Sequence, residues 1–265
     1  MSVLVIGGAG YIGSHTVKAL AAANRRPIVY DDFSAGHRAA TRFAADVVDG
    51  GIQDVATLRQ AMTRHSVTAV MHFAAWASVG DSVRDPVGYY RNNVTGTMAV
   101  LEAMAAEGVR QFVFSSTAAV FGNPIETPIT EAHPTAPINA YGETKLAIER
   151  ALPHFEVAHG IKSVVLRYFN AAGADPDGDL GEDHTPENHL IPRAIDAALG
   201  RGSFAIFGTD YDTPDGTCLR DYIHVTDLAS AHVLALDAID AGGPSARYNL
   251  GNGRPTSVKE IVDAV

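Results

Sequence analysis

A single cysteine, Cys218, in 265 residues leaves no intramolecular disulfide and no cysteine-based zinc site. Positive charge is also scarce. Twenty Lys and Arg against 30 Asp and Glu give a net charge of −10, which argues against a nucleic-acid-binding face. No apolar run reaches the roughly 18 residues of a membrane helix. The N-terminus has no basic segment, and the apolar run Val3–Ile6 is too short for a secretory signal. Internal repeats and low-complexity tracts are absent. The 11 histidines are scattered, with no H-x-x-x-H pair in one helix, so no metal site is expected. What remains is a cytoplasmic chain of ordinary composition, 46% hydrophobic and 19% charged, long enough to bury its own core and suited to binding something small.

The first two-thirds of the chain alternates two periods. Short apolar runs predict strands at Val3–Ile6, Pro27–Tyr30, Val47–Val48, Ala69–Phe73, Gln111–Ser115 and Ser163–Tyr168. Helical spacing predicts helices at Tyr11–Ala23, Val55–Thr63, Thr95–Ala106 and Ala140–Phe155, the last ending at Pro153. Alternation of this kind predicts an α/β fold with a doubly wound parallel sheet, Rossmann-like. After Asn170 the composition shifts. Ala174–His189 and Thr209–Thr217 are rich in Asp, Gly, Pro and Glu and read as long loops, with short apolar pieces at Ile191–Leu199 and Ala205–Phe207 between them. The expected division is a dinucleotide-binding domain over 1–170, to which 221–250 returns, and a smaller, incomplete lobe over 171–220 and 251–265.

Val3–Ile6 runs into glycines at Gly7, Gly8, Gly10 and Gly13, a G-x-x-G-x-x-G that also contains G-x-G-x-x-G. A strand that must turn sharply into a helix while its N–H groups approach a pyrophosphate needs positions without a Cβ. The strand before and the helix after supply the context this pattern requires; a ligand-free glycine turn is the competing reading. The next strand ends in Asp31 and Asp32. An acidic side chain about 20 residues past the glycines accepts from a ribose and repels a 2′-phosphate, which favours NAD over NADP; the alternative for Asp31 is a simple loop cap.

Tyr141-Gly142-Glu143-Thr144-Lys145 is a Y-x-x-x-K on a predicted helix, with both side chains on one face. A tyrosine titrates near pH 10 and must drop about three units to act as a base near neutrality. A close ammonium and an oxidised nicotinamide are two positive charges able to lower it. Ser115-Ser116-Thr117 closes the fifth strand, where ligands of open α/β sheets bind. Alone, each of these pieces also reads as a surface pair or a turn contact.

Together they resemble the extended short-chain dehydrogenase/reductases, and within them the nucleotide-sugar 4-epimerases. The resemblance covers nearly the whole chain. It rests on Gly7–His15, Phe73-Ala74-Ala75, Val79–Val83, Tyr89–Thr97 with Asn92-Asn93, Ser115–Gly122, Tyr141–Lys145, Arg167–Asn170, Ala205–Phe207 and Arg220–Asp227. It implies NAD as cofactor and 4-epimerisation of a UDP-sugar, UDP-glucose or UDP-galactose. Hydride leaves C4, the 4-keto sugar rotates, and hydride returns to the opposite face. Tyr141 is then the acid/base, Lys145 holds the cofactor ribose, and Thr117 is the second catalytic hydroxyl. Gly7, Gly10, Tyr11, Ile12, Gly13, Asp31, Asp32, Ile52, Phe73, Ala74, Ala75, Asn93, Ser115 and Tyr168 match cofactor positions. Phe169, Asn170, His189, Leu190, Phe207 and Arg220 match substrate positions, with Thr117 and Tyr141. A guanidinium such as Arg220 suits a diphosphate, the alternative being a rim ion pair. The resemblance also implies a homodimer through Tyr89–Glu107 and Ala140–Phe155, whose small residues Ala99, Ala103 and Ala147 suit close packing. His224 is read as structural.

Several positions depart from the family. Ile6 stands where Thr is frequent, Asp49-Gly50-Gly51-Ile52 lacks an adenine-contacting Asp before Ile52, Ala77 replaces a lysine, and His189 replaces an asparagine. Sugar-nucleotide 4,6-dehydratases share the fold but need an Asp-Glu pair after the catalytic Ser/Thr, where this chain has Ala118-Ala119. Epimerases of UDP-pentoses, UDP-hexuronates or UDP-N-acetylhexosamines stay open, as does a non-catalytic NAD-binding protein on the same scaffold. Ser257 and Glu260 form a predicted capping box opening a helix at about Val258 that runs only to Val265. Relatives continue for several tens of residues and supply an arginine to the diphosphate. A shortened enzyme is therefore expected rather than an evolved binding protein.

Overall fold

In the first strand, β1 (Ser2–Ile6), Val3 and Val5 face one side and Leu4 and Ile6 the other, and all four are 0% exposed. A strand buried on both faces needs helices on both faces. The computed structural model describes all 265 residues. In chain order, β1 is followed by α1 (Tyr11–Ala22), β2 (Arg26–Asp31), β3 (Asp46–Asp49), α2 (Val55–Arg64), β4 (Val67–His72), α3 (Val79–Arg84), α4 (Pro86–Tyr89), a π-helical turn (Tyr90–Thr95) and α5 (Gly96–Glu107). Then come β5 (Gln111–Thr117), α6 (Ala140–His159), β6 (Lys162–Tyr168), β7 (Asn170–Ala172), α7 (Leu190–Ala198), β8 (Leu219–His224), α8 (Val225–Asp240), β9 (Ala246–Leu250), β10 (Pro255–Ser257) and α9 (Val258–Ala264).

Seven strands form one sheet in the order β3-β2-β1-β4-β5-β6-β9, every pair parallel. One apolar layer joins Leu4, Ile28, Phe112 and Phe114 to α2, α5 and α6. The other joins Val3, Val29, Met71 and Val113 to α1 and α8. Strand order reverses between β1 and β4, and the crevice at their carboxyl ends is where such sheets bind ligands.

A smaller three-stranded sheet, β10-β8-β7, and the paired helices α7 and α9 build a second unit at that edge. The predicted return of 221–250 to the large sheet is carried by α8, packed on α1, and by β9, paired with β6. Arg25 holds α8 through Asp237 at 2.6 Å and Asp240 at 3.2 Å. The capping box at Ser257 and Glu260 is formed and opens α9.

Two expectations need correction. Helix α6 does not stop at Pro153 but runs to His159, closed by Gly160 at φ +68°. A proline in a helix interior leaves the carbonyl four residues earlier without its donor. Here that carbonyl, Glu149 O, accepts from Arg247 Nη2 at 3.2 Å, a donor supplied from β9. Ala99 and Ala103 are 9% and 0% exposed and pack into the chain's own core, so they offer nothing to a partner's surface. The exposed apolar side chains in the stretch before α5 are Trp76, Val79, Val83, Val87 and Tyr90.

Candidate active site

The turn after β1 lies in the crevice. Gly7 sits at φ +79°, its N–H donating to Tyr30 O at 2.9 Å, and a Cβ on it would strike the backbone of Ala74. A Cβ on Gly13 would land on Gly7 O. Gly10 is the N-cap of α1 and has no side chain to offer. The N–H groups of Tyr11, Ile12 and Gly13 in the first turn therefore have no carbonyl or cap to bind, which is the donor set of an anion cradle. Phe73 and Ala74, just past β4, both donate their N–H to Ile6 O, at 2.8 and 3.1 Å, which draws that loop against the glycine turn, and Ala75 follows directly. Gly13→Ala is expected to lose cofactor retention and about 1–3 kcal/mol of stability through backbone overpacking. Nucleotide content after purification and thermal denaturation check it.

Asp31 does two things at once. Its Oδ2 accepts from Ala9 N at 2.9 Å, fixing the glycine turn, and its Oδ1 accepts from Phe33 N at 2.9 Å, fixing the following loop. Burial raises its pKa, against the lowering effect of these two hydrogen bonds. Each oxygen keeps a lone pair for a ribose hydroxyl. Asp32 is exposed and caps Ser34 N at 2.9 Å. Ile52 is half-buried and packs across Gly96.

Asn139 caps α6, accepting from Gly142 N at 2.8 Å, and so places Tyr141 in the first turn and Lys145 one turn on. Lys145 is 3% exposed. Its Nζ donates to Ser115 O at 2.8 Å and lies 4.9 Å above the Phe114 ring and 6.0 Å from the Tyr141 ring. An ammonium has three donors, so two remain for ribose hydroxyls. Burial lowers Lys145 to about 7, against the raising charge of Glu149. Burial raises the Tyr141 phenol, and a hydrogen bond with Thr117 pulls it back. Raised is the wrong direction for a base. Positive charge close to the phenol, from the Lys145 ammonium and from an oxidised nicotinamide, is what would lower it. The cradle, Asp31 and the two free donors of Lys145 all fit NAD.

The Lys145 shift has a stability consequence. From about pH 10.4 down to about 7, the unfolded lysine holds a proton that the buried one does not, so its cost to the fold is largest below pH 7 and fades as pH rises toward 10.4. Lys145→Met is thus expected to raise the stability of the nucleotide-free protein most at pH 6 and least at pH 10, by urea denaturation.

Beneath Lys145, at the next position on the same helix face, Glu149 is 1% exposed. It receives Arg167 Nη2 at 2.6 Å, Arg167 Nε at 3.1 Å and Ser116 Oγ at 2.5 Å. Sequence reading passed over Glu149, although the spacing Tyr141, Lys145, Glu149 was visible. Ser115 Oγ pairs with His232 Nε2 at 3.0 Å, and burial holds that histidine down at about 4, neutral. Tyr168 is half-buried, and burial raises it to about 12.

Asn93 is 1% exposed in the π-helical turn. Its Oδ1 accepts from Trp76 N and Asn92, and its Nδ2 donates to Trp76 O and Thr144. All four amide positions are used inside the protein, so Asn93 shapes the pocket from behind. On the other side, Phe169 packs over Gly251, and Asn170 Nδ2 donates to Asp221 O at 3.0 Å. His189 and Leu190 open α7. The structure leaves Phe207 apart, 78% exposed on a segment without regular structure. Arg220 is exposed, donates to Leu219 O at 2.8 Å and forms no ion pair, so the rim ion-pair reading of it does not hold. His224 caps α8 through Thr226 N, a structural role.

Comparison with known proteins fits this geometry. Over 265 residues the chain is 53% identical to the UDP-glucose 4-epimerase of Rhizobium meliloti (strain 1021), covering 100% of this chain and 80% of that protein. A UDP-glucose 4-epimerase from Brucella ovis, solved in complex with NAD, superposes with a TM-score of 0.97 at 53% identity, covering 99% of this chain and 81% of that one. The enzyme from Bifidobacterium longum, solved with NAD+ and UDP, gives a TM-score of 0.94 at 38% identity, covering 100% of this chain and 82% of that one. The model of the NAD dependent epimerase/dehydratase family matches residues 3–251, and the chain belongs to that family.

Proposed function

We propose that this chain interconverts UDP-glucose and UDP-galactose by NAD-dependent epimerisation at C4. The observation that carries the reading is the Tyr141–Lys145 pair, set at the carboxyl edge of the sheet beside Thr117 and the glycine cradle. NAD, held by the glycine cradle, Asp31 and Lys145, would supply the hydride acceptor for sugar C4 and the hydride donor for its return. Tyr141 Oη removes the proton from the sugar O4 and gives it back to the same oxygen after the sugar has turned. Lys145 anchors the ribose with its two free donors and adds positive charge beside the phenol. Thr117 hydrogen-bonds the phenol and orients O4. Arg220, exposed and without an anionic partner, is available to a diphosphate.

Elimination chemistry lacks its groups. Thr117 is followed by a 3₁₀ turn, Ala118–Phe121, whose Ala119 N–H binds Thr117 Oγ1 at 3.1 Å, and neither alanine can act as acid or base. Residues 1–170 with 221–250 form the cofactor half, and 171–220 with 251–265 the substrate half. The family relatives at 45–53% identity bearing the same name favour the hexose pair over UDP-pentoses. The exposed Trp76, Val83, Val87 and Tyr90 fit a second copy of the chain, giving a homodimer, and a cytoplasmic location suits a nucleotide-sugar substrate. No helix is long and apolar enough to cross a membrane.

Parallel incubation with UDP-galactose and UDP-xylose, with both products separated by chromatography, tests the reading. Faster turnover of UDP-galactose is expected. Preference for UDP-xylose would move the substrate class, and no turnover of either with NAD retained would point to a binding protein.

A further inference from the structure

The segment joining β7 to α7 lies against the glycine turn. Tyr11 Oη donates to Gly173 O at 2.6 Å, and His37 Nε2 meets Asp183 O at 3.1 Å. Within this segment two clusters of titratable side chains form. Asp175, Asp177 and Asp179 are matched by Lys18, whose Nζ reaches them at 2.7, 2.7 and 3.0 Å, so this cluster is internally compensated. The second cluster has no such cation.

We propose that Glu182, His184, Glu187 and His189 form a binding site for a divalent cation of the zinc class. One ligand atom from each side chain falls within 4.8 Å of all the others. His184 Nδ1 lies 3.6 Å from Glu182 Oε1 and 3.3 Å from Glu187 Oε2. His189 Nδ1 lies 2.8 Å from Glu182 Oε1 and 3.2 Å from Glu187 Oε1. A tetrahedron with bonds of about 2.0–2.2 Å has edges of roughly 3.3–3.6 Å; both His184 distances fall in that range, and the His189–Glu182 pair at 2.8 Å would open to admit an ion. Two imidazole nitrogens and two carboxylate oxygens make a donor set of zinc type rather than one for calcium or magnesium.

Burial is the second observation. The Glu182 side chain is only 10% exposed and the Glu187 side chain 16%. Oε1 of Glu182 faces both imidazoles, and no hydrogen bond from backbone or hydroxyl reaches this carboxylate. Two carboxylates withdrawn from water need a compensating cation. One divalent ion neutralises both carboxylates.

The His184 ring stands edge-on to Tyr11, with centroids 6.4 Å apart. His189 is the N-cap residue of α7. A bound cation would therefore tie the end of this segment to α7, beside the first helical turn after the glycines. The cation would have a structural role, separate from the proton transfer assigned to Tyr141; because His189 also matches a substrate position, the test variants leave His189 in place.

Zinc chloride titrated into the full chain after EDTA treatment, followed by calorimetry and by elemental analysis of the dialysed protein, tests this. One zinc per chain is expected, with a rise in thermal stability that grows with zinc concentration. His184→Ala and Glu187→Gln should each weaken binding by more than the roughly 10–100-fold seen on losing an outer-sphere partner. Asp177→Asn should leave it unchanged. If His184→Ala fails to fold by circular dichroism, Glu187→Gln decides. The proposal is overturned by no stoichiometric uptake, by equal affinity in Glu187→Gln, or by loss of binding in Asp177→Asn alone.

Discussion

Tyr141→Phe is expected to reduce turnover of UDP-galactose by about 10²–10⁴-fold, the usual cost of removing a positioned acid/base group. The substitution deletes one hydroxyl from a half-buried ring beside Thr117. Cofactor retention and melting temperature should therefore stay near those of the wild type. That combination separates a chemical role from a structural one. Near-normal turnover in Tyr141→Phe would place the proton transfer elsewhere.

Glu149→Ala is expected to destabilise the protein by about 3–5 kcal/mol, the range for breaking one half of a buried ion pair. At roughly 2–4 °C per kcal/mol in a chain of this size, melting should fall on the order of 10 °C. The reason lies in Arg167, 4% exposed, whose guanidinium would be left buried without its bidentate partner. Replacing both residues, Glu149→Ala with Arg167→Met, should recover much of the loss, because an apolar pair leaves no charge uncompensated. Glu149 also raises Lys145, so its removal lets burial push that lysine lower still. Glu149→Gln should accordingly shift the acidic side of the pH–rate profile downward if Lys145 ionisation governs it. Differential scanning calorimetry of the single and double variants checks the first effect, and a pH–rate series the second.

Most of the parallel sheet was legible because its signal is local. β1, β2, β4, β5 and β6 each carry a short apolar stretch bounded by turns, and their observed limits differ from the predicted ones by at most two residues. β9 was harder: Ala246–Leu250 carries Arg, Tyr and Asn on an edge strand and reads as no apolar run. Pro153 misled for a related reason. A proline ends a helix when its orphaned carbonyl finds no donor, and the donor here, Arg247, lies 94 positions further along the chain, out of reach of any local window.

The site divides in the same way. The glycine turn, Asp31 and Tyr141 with Lys145 are short motifs whose chemistry demands particular residues at fixed spacing. Glu149 carries no motif of its own, and its importance comes from Arg167 and Ser116 on neighbouring strands. The Glu182, His184, Glu187 and His189 grouping was passed over because helical spacing was sought for metal ligands, whereas these four converge from a segment with no regular structure up to the start of α7.

The most direct measurement follows a label. UDP-galactose carrying deuterium at C4 is incubated with the purified protein in ordinary water, and the UDP-glucose formed is examined by mass spectrometry and NMR. Transfer of hydride to a bound cofactor and back to the same carbon predicts product that keeps its deuterium at C4, without added nucleotide being reduced. Loss of the label to solvent would mean that C4 is inverted through proton exchange, and that result would contradict the role assigned to Tyr141, Lys145 and the glycine cradle.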